Sequence, residues 1–278
     1  MANERKPLVV PGWRDPRWLI LAYLFSFVVY ALSSPGFSRR PAQWLAGLAV
    51  CLGLDWLLLR FYKKLNVLPV SGLVTSMGVL LLCDSPDVWP YALVAALSIL
   101  SKHFVRSEGR HIFNPNNFGI VLGLLFFGEH VSVVAGRWGG SAAGMCLVAA
   151  LGAFTAYRAS RLDVSWTYAA SFFAGVVVRS VWMRKPFLSV VAPMTGAAFQ
   201  LFTFFMITDP MTTPSSRKGR IAFGTALGAL DNVLRVYQVP HAPFHALFAV
   251  CAALPLLRSA AAAKAERVWV LRELSLPR

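Results

Sequence analysis

The sequence predicts an all-α integral membrane protein of about ten transmembrane helices, arranged as two inverted five-helix repeats with broken or re-entrant segments. Three observations predict it. Hydrophobic residues make up 57% of 278 positions and charged residues only 14%, with a positive mean hydropathy, which is too apolar for a soluble domain of this size. About ten apolar runs can be marked, and several are interrupted by Gly and Pro or are shorter than the roughly 20 residues of a simple spanning helix. The order of residues around a proline-bearing break in the first half also recurs in the second.

The runs lie near Trp18 to Leu32, Trp44 to Leu59, Leu68 to Cys83, Val88 to Leu100 and Phe118 to Phe127. In the second half they lie near Ala142 to Ala156, Val164 to Trp182, Phe187 to Ile207, Ile221 to Val236 and Phe244 to Leu257. Short segments at membrane depth need protein or water around their polar groups, so they imply a compact bundle with an internal polar site. The expected organisation is a single membrane domain over residues 1–278, with a first repeat at 17–130, a second at 140–258 and a basic tail at 259–278.

The net charge is +15, but the 27 Lys and Arg are scattered through short loops, which reads as membrane orientation and not as nucleic-acid binding. Arg5, Lys6, Arg14 and Arg17 precede the first run, and Arg258, Lys264, Arg267, Arg272 and Arg278 follow the last. Both termini are therefore expected in the cytoplasm, with Arg39 and Arg40 running against the rule. The first run starts late and no small-residue cleavage site follows it, so it is expected to be retained as a span. Cys51, Cys83, Cys146 and Cys251 occur singly in apolar segments, without the spacing of a zinc or iron–sulfur site. No metal site or catalytic pattern is expected.

Asp55 falls inside the second run, where an ionisable group either serves function or pairs near the segment end, with Arg60 or Lys64 as the nearest cations. The stretch Arg110-His111-Ile112-Phe113-Asn114-Pro115-Asn116-Asn117-Phe118-Gly119 puts a polar break between two apolar runs. Pro115 disfavours helix at Asn114, so the spacing predicts a helix starting at or just after Pro115 with Asn114 as its cap. Such a start offers free N–H groups and a positive dipole end to an anion or a polar ligand; a surface loop is the alternative.

Phe204 to Pro210 closes the eighth run on Thr208-Asp209-Pro210, as Val79 to Pro86 closes the third on Asp84-Ser85-Pro86. After each Asp come a turn, an apolar run, a basic residue and a proline break, at Pro115 and at Pro243. The Asp-to-proline spacings, 84 to 115 and 209 to 243, nearly match. An odd number of spans per half inverts the second copy, and in that architecture the site lies where the two broken segments meet. This brings Asn114 to Asn117 towards Thr208 to Thr213, His241 and His245. Between the halves, Gly136 to Gly144 lacks a phosphate-loop pattern and reads as an entry for close helix packing.

The two breaks, Gly109 to Gly119 and Phe204-Phe205-Met206-Ile207-Thr208-Asp209-Pro210-Met211-Thr212-Thr213-Pro214, resemble the motifs of the NqrB/RnfD membrane subunits. Those motifs are close to F-N-P-A-A-x-G and F-F-M-x-T-D-P-x-[ST]-[ST]-P, and the likeness extends from about Pro69 to Leu257. The resemblance implies a membrane subunit of a flavin-linked electron-transport complex that drives Na⁺ or H⁺ across the membrane. It also implies a urea-transporter-like fold, other membrane or redox subunits as partners and a bacterial cytoplasmic-membrane location. Flavin-bearing members attach FMN to the Thr of a motif resembling D-G-x-[ST]-[SG]-A-T. The present sequence has no such motif, so covalent FMN is not expected and non-covalent FMN or riboflavin is. Shortened relatives also stand beside specialised-metabolite genes, notably for enediyne biosynthesis.

The expected cofactor-binding residues are Lys102, Arg110, Asn114, Asn116, Asn117, Thr208, Thr212 and Thr213. Asp84, Asp209, His241 and His245 are expected along an ion or solute path. The alternative on the same scaffold is a cofactor-free channel or transporter, or a membrane protein of specialised-metabolite biosynthesis.

Overall fold

Helices make up nearly all of residues 8–33, 37, 40–133 and 142–257, the residues that the computed structural model describes. Arg5, Lys6, Arg39, the segment Gly136 to Ser141 and the tail from Arg258 lie outside the described residues. The first half runs α1 (Pro16–Leu32), α2 (Pro41–Leu57), α3 (Val70–Leu82), α4 (Trp89–Phe104) and α5 (Pro115–Phe127). The second runs α6 (Ala142–Arg158), α7 (Leu162–Trp182), α8 (Phe187–Val191), α9 (Ala197–Leu201), α10 (Arg217–Val236) and α11 (Ala242–Leu257). Wide π turns at Leu58–Tyr62 and Phe202–Met206 extend α2 and α9.

Local signals set the helix starts. Asp15 caps α1 by accepting from Arg17 N at 2.9 Å, and Ser216 caps α10 by accepting from Gly219 N at 3.1 Å. Asn114 caps α5 by accepting from the amides of Asn116 and Asn117, with Pro115 at the first helical position, as the sequence predicts.

Pro41–Tyr62 and Leu162–Trp182 are each long and apolar enough to cross a membrane, and the pair Phe187–Thr195 and Ala197–Met206, bent by 56°, makes a third if read as one span. The remaining apolar helices are shorter; thirteen residues, as in α3 and α5, reach only about 20 Å. Large apolar side chains such as Phe126, Val181 and Leu188 are more than two-thirds exposed on the outside, where a soluble protein would carry polar groups. The chain is an all-α membrane protein.

One apolar cluster runs through both halves and includes Phe27, Leu81, Tyr91, Ile120, Tyr168, Phe202, Leu227 and Leu247. Small residues let the helices approach. A Cβ on Gly224 would overlap Thr167 Oγ1 and come within 2.8 Å of Val164 O, so α10 lies directly on α7.

Two tiny antiparallel ladders join the loops, a feature that the all-α reading did not foresee. β1 (Cys83–Asp84) pairs with β4 (Ser132–Val133), and β2 (Arg106–Ser107) pairs with β3 (Arg110–His111). The second is a hairpin whose central residues, Glu108 and Gly109, both have positive φ, the requirement of a type I′ turn. These contacts sort the loops into two ends. A bridge from Val9 to Val67 brings the start of α1 to the α2–α3 loop. That end also holds the hairpin, the α6–α7 loop, the loop after Met206 and the end of α11. Arg14, Lys63, Lys64, Arg106, Arg110, Arg161 and Lys218 lie there, so it is the basic end. The opposite end holds the β1–β4 ladder and the starts of α2 and α11.

Candidate functional site

The two breaks meet at the basic end. Arg110, held on β3, donates through Nε to Met211 O at 3.3 Å and through Nη2 to Thr213 O at 2.8 Å and to Pro210 O. Asn114 faces the same loop, with Nδ2 at 3.4 Å from Met206 O and 3.5 Å from Asp209 Oδ2. One planar fork and one amide thus satisfy the carbonyls that the end of α9 leaves open.

Asp209 organises its own loop. Its carboxylate accepts from Met211 N at 2.9 Å, and its backbone carbonyl accepts from Thr212 Oγ1 at 3.2 Å and Thr213 Oγ1 at 3.0 Å. Burial pushes the Asp209 carboxyl up from the ordinary carboxylate value, while the Met211 amide and the charge of Arg110 pull it down. Arg161 donates to Thr213 Oγ1 at 2.8 Å from the α6–α7 loop. Thr208 turns back on its own segment, donating to Phe204 O at 2.6 Å.

Deeper along α5, Asn116 packs over α3, where a Cβ on Gly78 would overlap its Nδ2. Asn117 is fully buried, and both its amide atoms, together with Asn116 Oδ1, lack a protein partner. Since α5 and α9 run antiparallel from the Asn114–Met206 contact, Asn117 and the buried, unpartnered hydroxyl of Thr203 each lie three residues further in.

The other expected residues are elsewhere. Lys102 lies on α4 and donates to Asp55 Oδ2 at 2.7 Å and Ser71 Oγ at 2.6 Å, away from the 209–213 loop. Asp55 is thus joined to Lys102 and His103, and not to Arg60 or Lys64, because packing of α2 on α4 brings closer cations than chain proximity does. Asp84 sits on β1 at the opposite end. His241 and His245 begin α11, about 24 Å of helix from its far end at the break loop. The structure therefore joins Arg110, Asn114, Asp209, Thr212 and Thr213, and separates them from Lys102, Asp84, His241 and His245.

Sequence reasoning missed one polar group altogether. Asp231 on α10 is fully buried and accepts from Tyr168 OH at 2.9 Å and Arg235 Nε at 2.8 Å, while Arg179 on α7 donates to Asn232 Oδ1 at 3.0 Å. The available signal was an ionisable residue inside an apolar run.

Beside the hairpin, a cavity of about 10 Å³ is lined by Ser107, His111, Met211, Thr212, Cys251 and Leu254. That is space for about one water molecule. Burial, Arg106, Lys102 and Lys63 push His111 down to about 4, so its ring is neutral.

Residues 129–265 match the family described as NQR2, RnfD, RnfE family. Over that stretch the chain belongs to this family. The matched stretch contains the second break, Phe204 to Pro214, and not the first. The NQR2, RnfD, RnfE relatives include the RnfD protein of the ion-translocating oxidoreductase complex in Cronobacter sakazakii, 33% identical over 82 residues, or 28% of this chain and 23% of that one. Its counterpart from Shewanella pealeana is 36% identical over 70 residues, 22% of this chain and 20% of that one. The counterpart from Alcanivorax borkumensis is 29% identical over 85 residues, 29% and 25% of the two chains. The aligned stretches span about a quarter of these curated relatives.

Proposed function

We propose that this chain is a membrane subunit of an ion-translocating electron-transport complex of the NqrB/RnfD type, built as two inverted five-helix repeats whose broken segments interlock. The observation that carries the reading is the seam itself, in which Arg110 and Asn114 of one break hold the Met206 to Thr213 loop of the other. Counting α8 and α9 as one bent segment gives five elements per half. In each half the second element packs on the fourth, α2 on α4 and α7 on α10, through a buried polar network. The first network lies at the basic end, the second near the opposite end, as inversion requires.

Flavin is the cofactor that the family resemblance implies, and the seam does not fit it. The cavity is far smaller than the several hundred Å³ of a cofactor site. Arg110, Thr208, Thr212, Thr213 and Lys102 are already committed to protein acceptors. In this reading the chain's own residues close and orient the membrane core, and electrons travel through partner subunits. Asp209 at the basic end, with Asp84, His241 and His245 at the other, would stand at the two mouths of an ion path. Multi-pass insertion in a bacterial cytoplasmic membrane with the basic end cytoplasmic accords with the placement of the loop cations.

The test is purification of the tagged chain from its native membrane. Redox subunits that co-purify, and electron-driven ion uptake lost with the chain, are expected. The tight seam equally suits a cofactor-free transporter, and a folded protein that purifies alone and moves solute in liposomes would establish that reading instead. A visible spectrum with acid precipitation tests the seam: flavin retained by the isolated chain would show that it opens.

A further inference from the structure

We propose that Asp55, Lys102 and His103 form a proton-binding site buried between α2 and α4, with Nδ1 of His103 as the atom that takes the proton. The inference deepens the ion-translocating reading and rests on it only for the use to which the proton is put.

Asp55 and the His103 side chain are fully buried. Asp55 Oδ2 receives Lys102 Nζ at 2.7 Å and Ser71 Oγ at 3.2 Å, and Oδ1 lies 2.7 Å from His103 Nε2. A carboxylate beside an ammonium is ionised, so the ring nitrogen facing it carries a hydrogen and donates. In a neutral ring Nδ1 is then a bare lone pair, and it meets no protein partner. It is the free basic atom of the cluster. A proton added there leaves the bond to Asp55 intact and takes the cluster from neutral to one positive charge.

The surroundings are mixed in sign. Cys51 and Lys63 face the cluster from α2 and its π-turn extension, Arg17 from α1, Lys102 from α4 itself, and Arg106 and His111 from the hairpin. Asp55 is the one anion among them and the one in contact with the ring, so it dominates at short range. His111 provides the approach. It lines the cavity at the basic end, its own Nδ1 also lacks a protein partner, and it lies within electrostatic reach of Lys102 and His103.

The seam between α7 and α10 supplies a contrast. There the carboxylate of Asp231 is held by Arg235 and the Tyr168 hydroxyl, and Arg179 and Arg235 both lie against the Phe172 ring, 5.6 and 4.9 Å from its centroid. Guanidinium groups do not give up protons in proteins, and phenols do so only far above neutrality. The same helix pairing is thus fixed in charge in one half and protonatable in the other.

The test is ¹⁵N NMR of the full chain, labelled at histidine and reconstituted in lipid, with the His103 signals identified by their loss in His103→Gln. The expected result is an Nε2–H tautomer in alkaline buffer that gains a proton at Nδ1 reversibly on acidification. Asp55→Asn should weaken that proton's binding about tenfold or more, and Lys102→Gln should strengthen it. A ring that keeps one form throughout, or that carries its hydrogen on Nδ1 in alkaline buffer, overturns the site. If Asp55→Asn does not fold, Lys102→Gln decides: an unchanged titration overturns the proposal. The measurement uses no flavin, donor or partner, so its failure leaves the electron-transport reading untouched.

Discussion

Arg110 donates to the carbonyl of Thr213 at 2.8 Å across 103 residues of sequence. Together with the carbonyls of Pro210 and Met211, this bond makes Arg110 the principal tie between the two breaks. Arg110→Ala should lower stability by about 1–2 kcal/mol, the usual range for a charged hydrogen-bonding group, at a half-buried position. Arg110→Lys should recover only part, since an ammonium cannot reproduce the planar fork. Thermal unfolding in detergent measures both, and an unshifted Arg110→Ala would show that the breaks are held together by other contacts.

Asp209 is predicted to act in its loop as an acceptor more than as a charge. Asp209→Asn keeps an oxygen for the Met211 amide and should unfold within about 0.5 kcal/mol of the parent, whereas Asp209→Ala should cost about 1 kcal/mol. The raised carboxyl supplies the sign of the pH dependence. The folded chain holds this proton more tightly than the unfolded one, so the Asp209 contribution improves as pH falls through the folded value. Asp209→Asn should abolish that component, and a pH series of unfolding curves reads it.

Gly224→Val tests the α7–α10 contact. Any Cβ there meets the backbone of Val164 and Tyr168, which cannot rotate away, so a loss of about 1–3 kcal/mol is expected. The same change at Gly53, where a Cβ meets nothing within 4 Å, should be mild. Equal losses at both positions would show that β-branching in a membrane helix, and not the contact, sets the cost.

Asp15 caps α1 and holds Arg17 in an ion pair at 2.6 Å. The Arg17 side chain is foremost in holding the Asp15 carboxyl down to about 2, below its ordinary 3.8. Its contribution is therefore complete above the ordinary value and lost as pH falls through about 2. Asp15→Ala should cost about 1 kcal/mol at neutral pH, and nothing extra once both forms are uncharged. Fluorescence of the neighbouring Trp18, followed in acid titrations of parent and variant, checks both statements.

How far the sequence could be read depended on the range of the interaction. The Asn114 cap was legible because Pro115 states it locally. The approach of Asn114 to the Thr208–Thr213 loop was legible through the recurring Asp and Pro spacing. The same spacing misplaced His241 and His245, since it records order along the chain and not which end of the bundle a break occupies. Lys102 looked available for a phosphate because its partner Asp55 lies 47 residues away, on a helix face that only packing brings near. The Glu108-Gly109 turn was overlooked beside the stronger Pro115 signal, although it is what sets Arg110 on a strand facing the second break.

The length of chain that Arg110 spans also has a meaning for biogenesis. Asp55 and Lys102 can meet once a further 47 residues have been made, but Arg110 must wait for 103. At ribosomal rates of about 5–20 residues per second that is roughly 5–20 s during which the guanidinium stays hydrated at the membrane surface. The first half therefore enters the bilayer with its α2–α4 seam closed and its basic end open. Only the arrival of Thr213 completes the insertion of the protein as a single object.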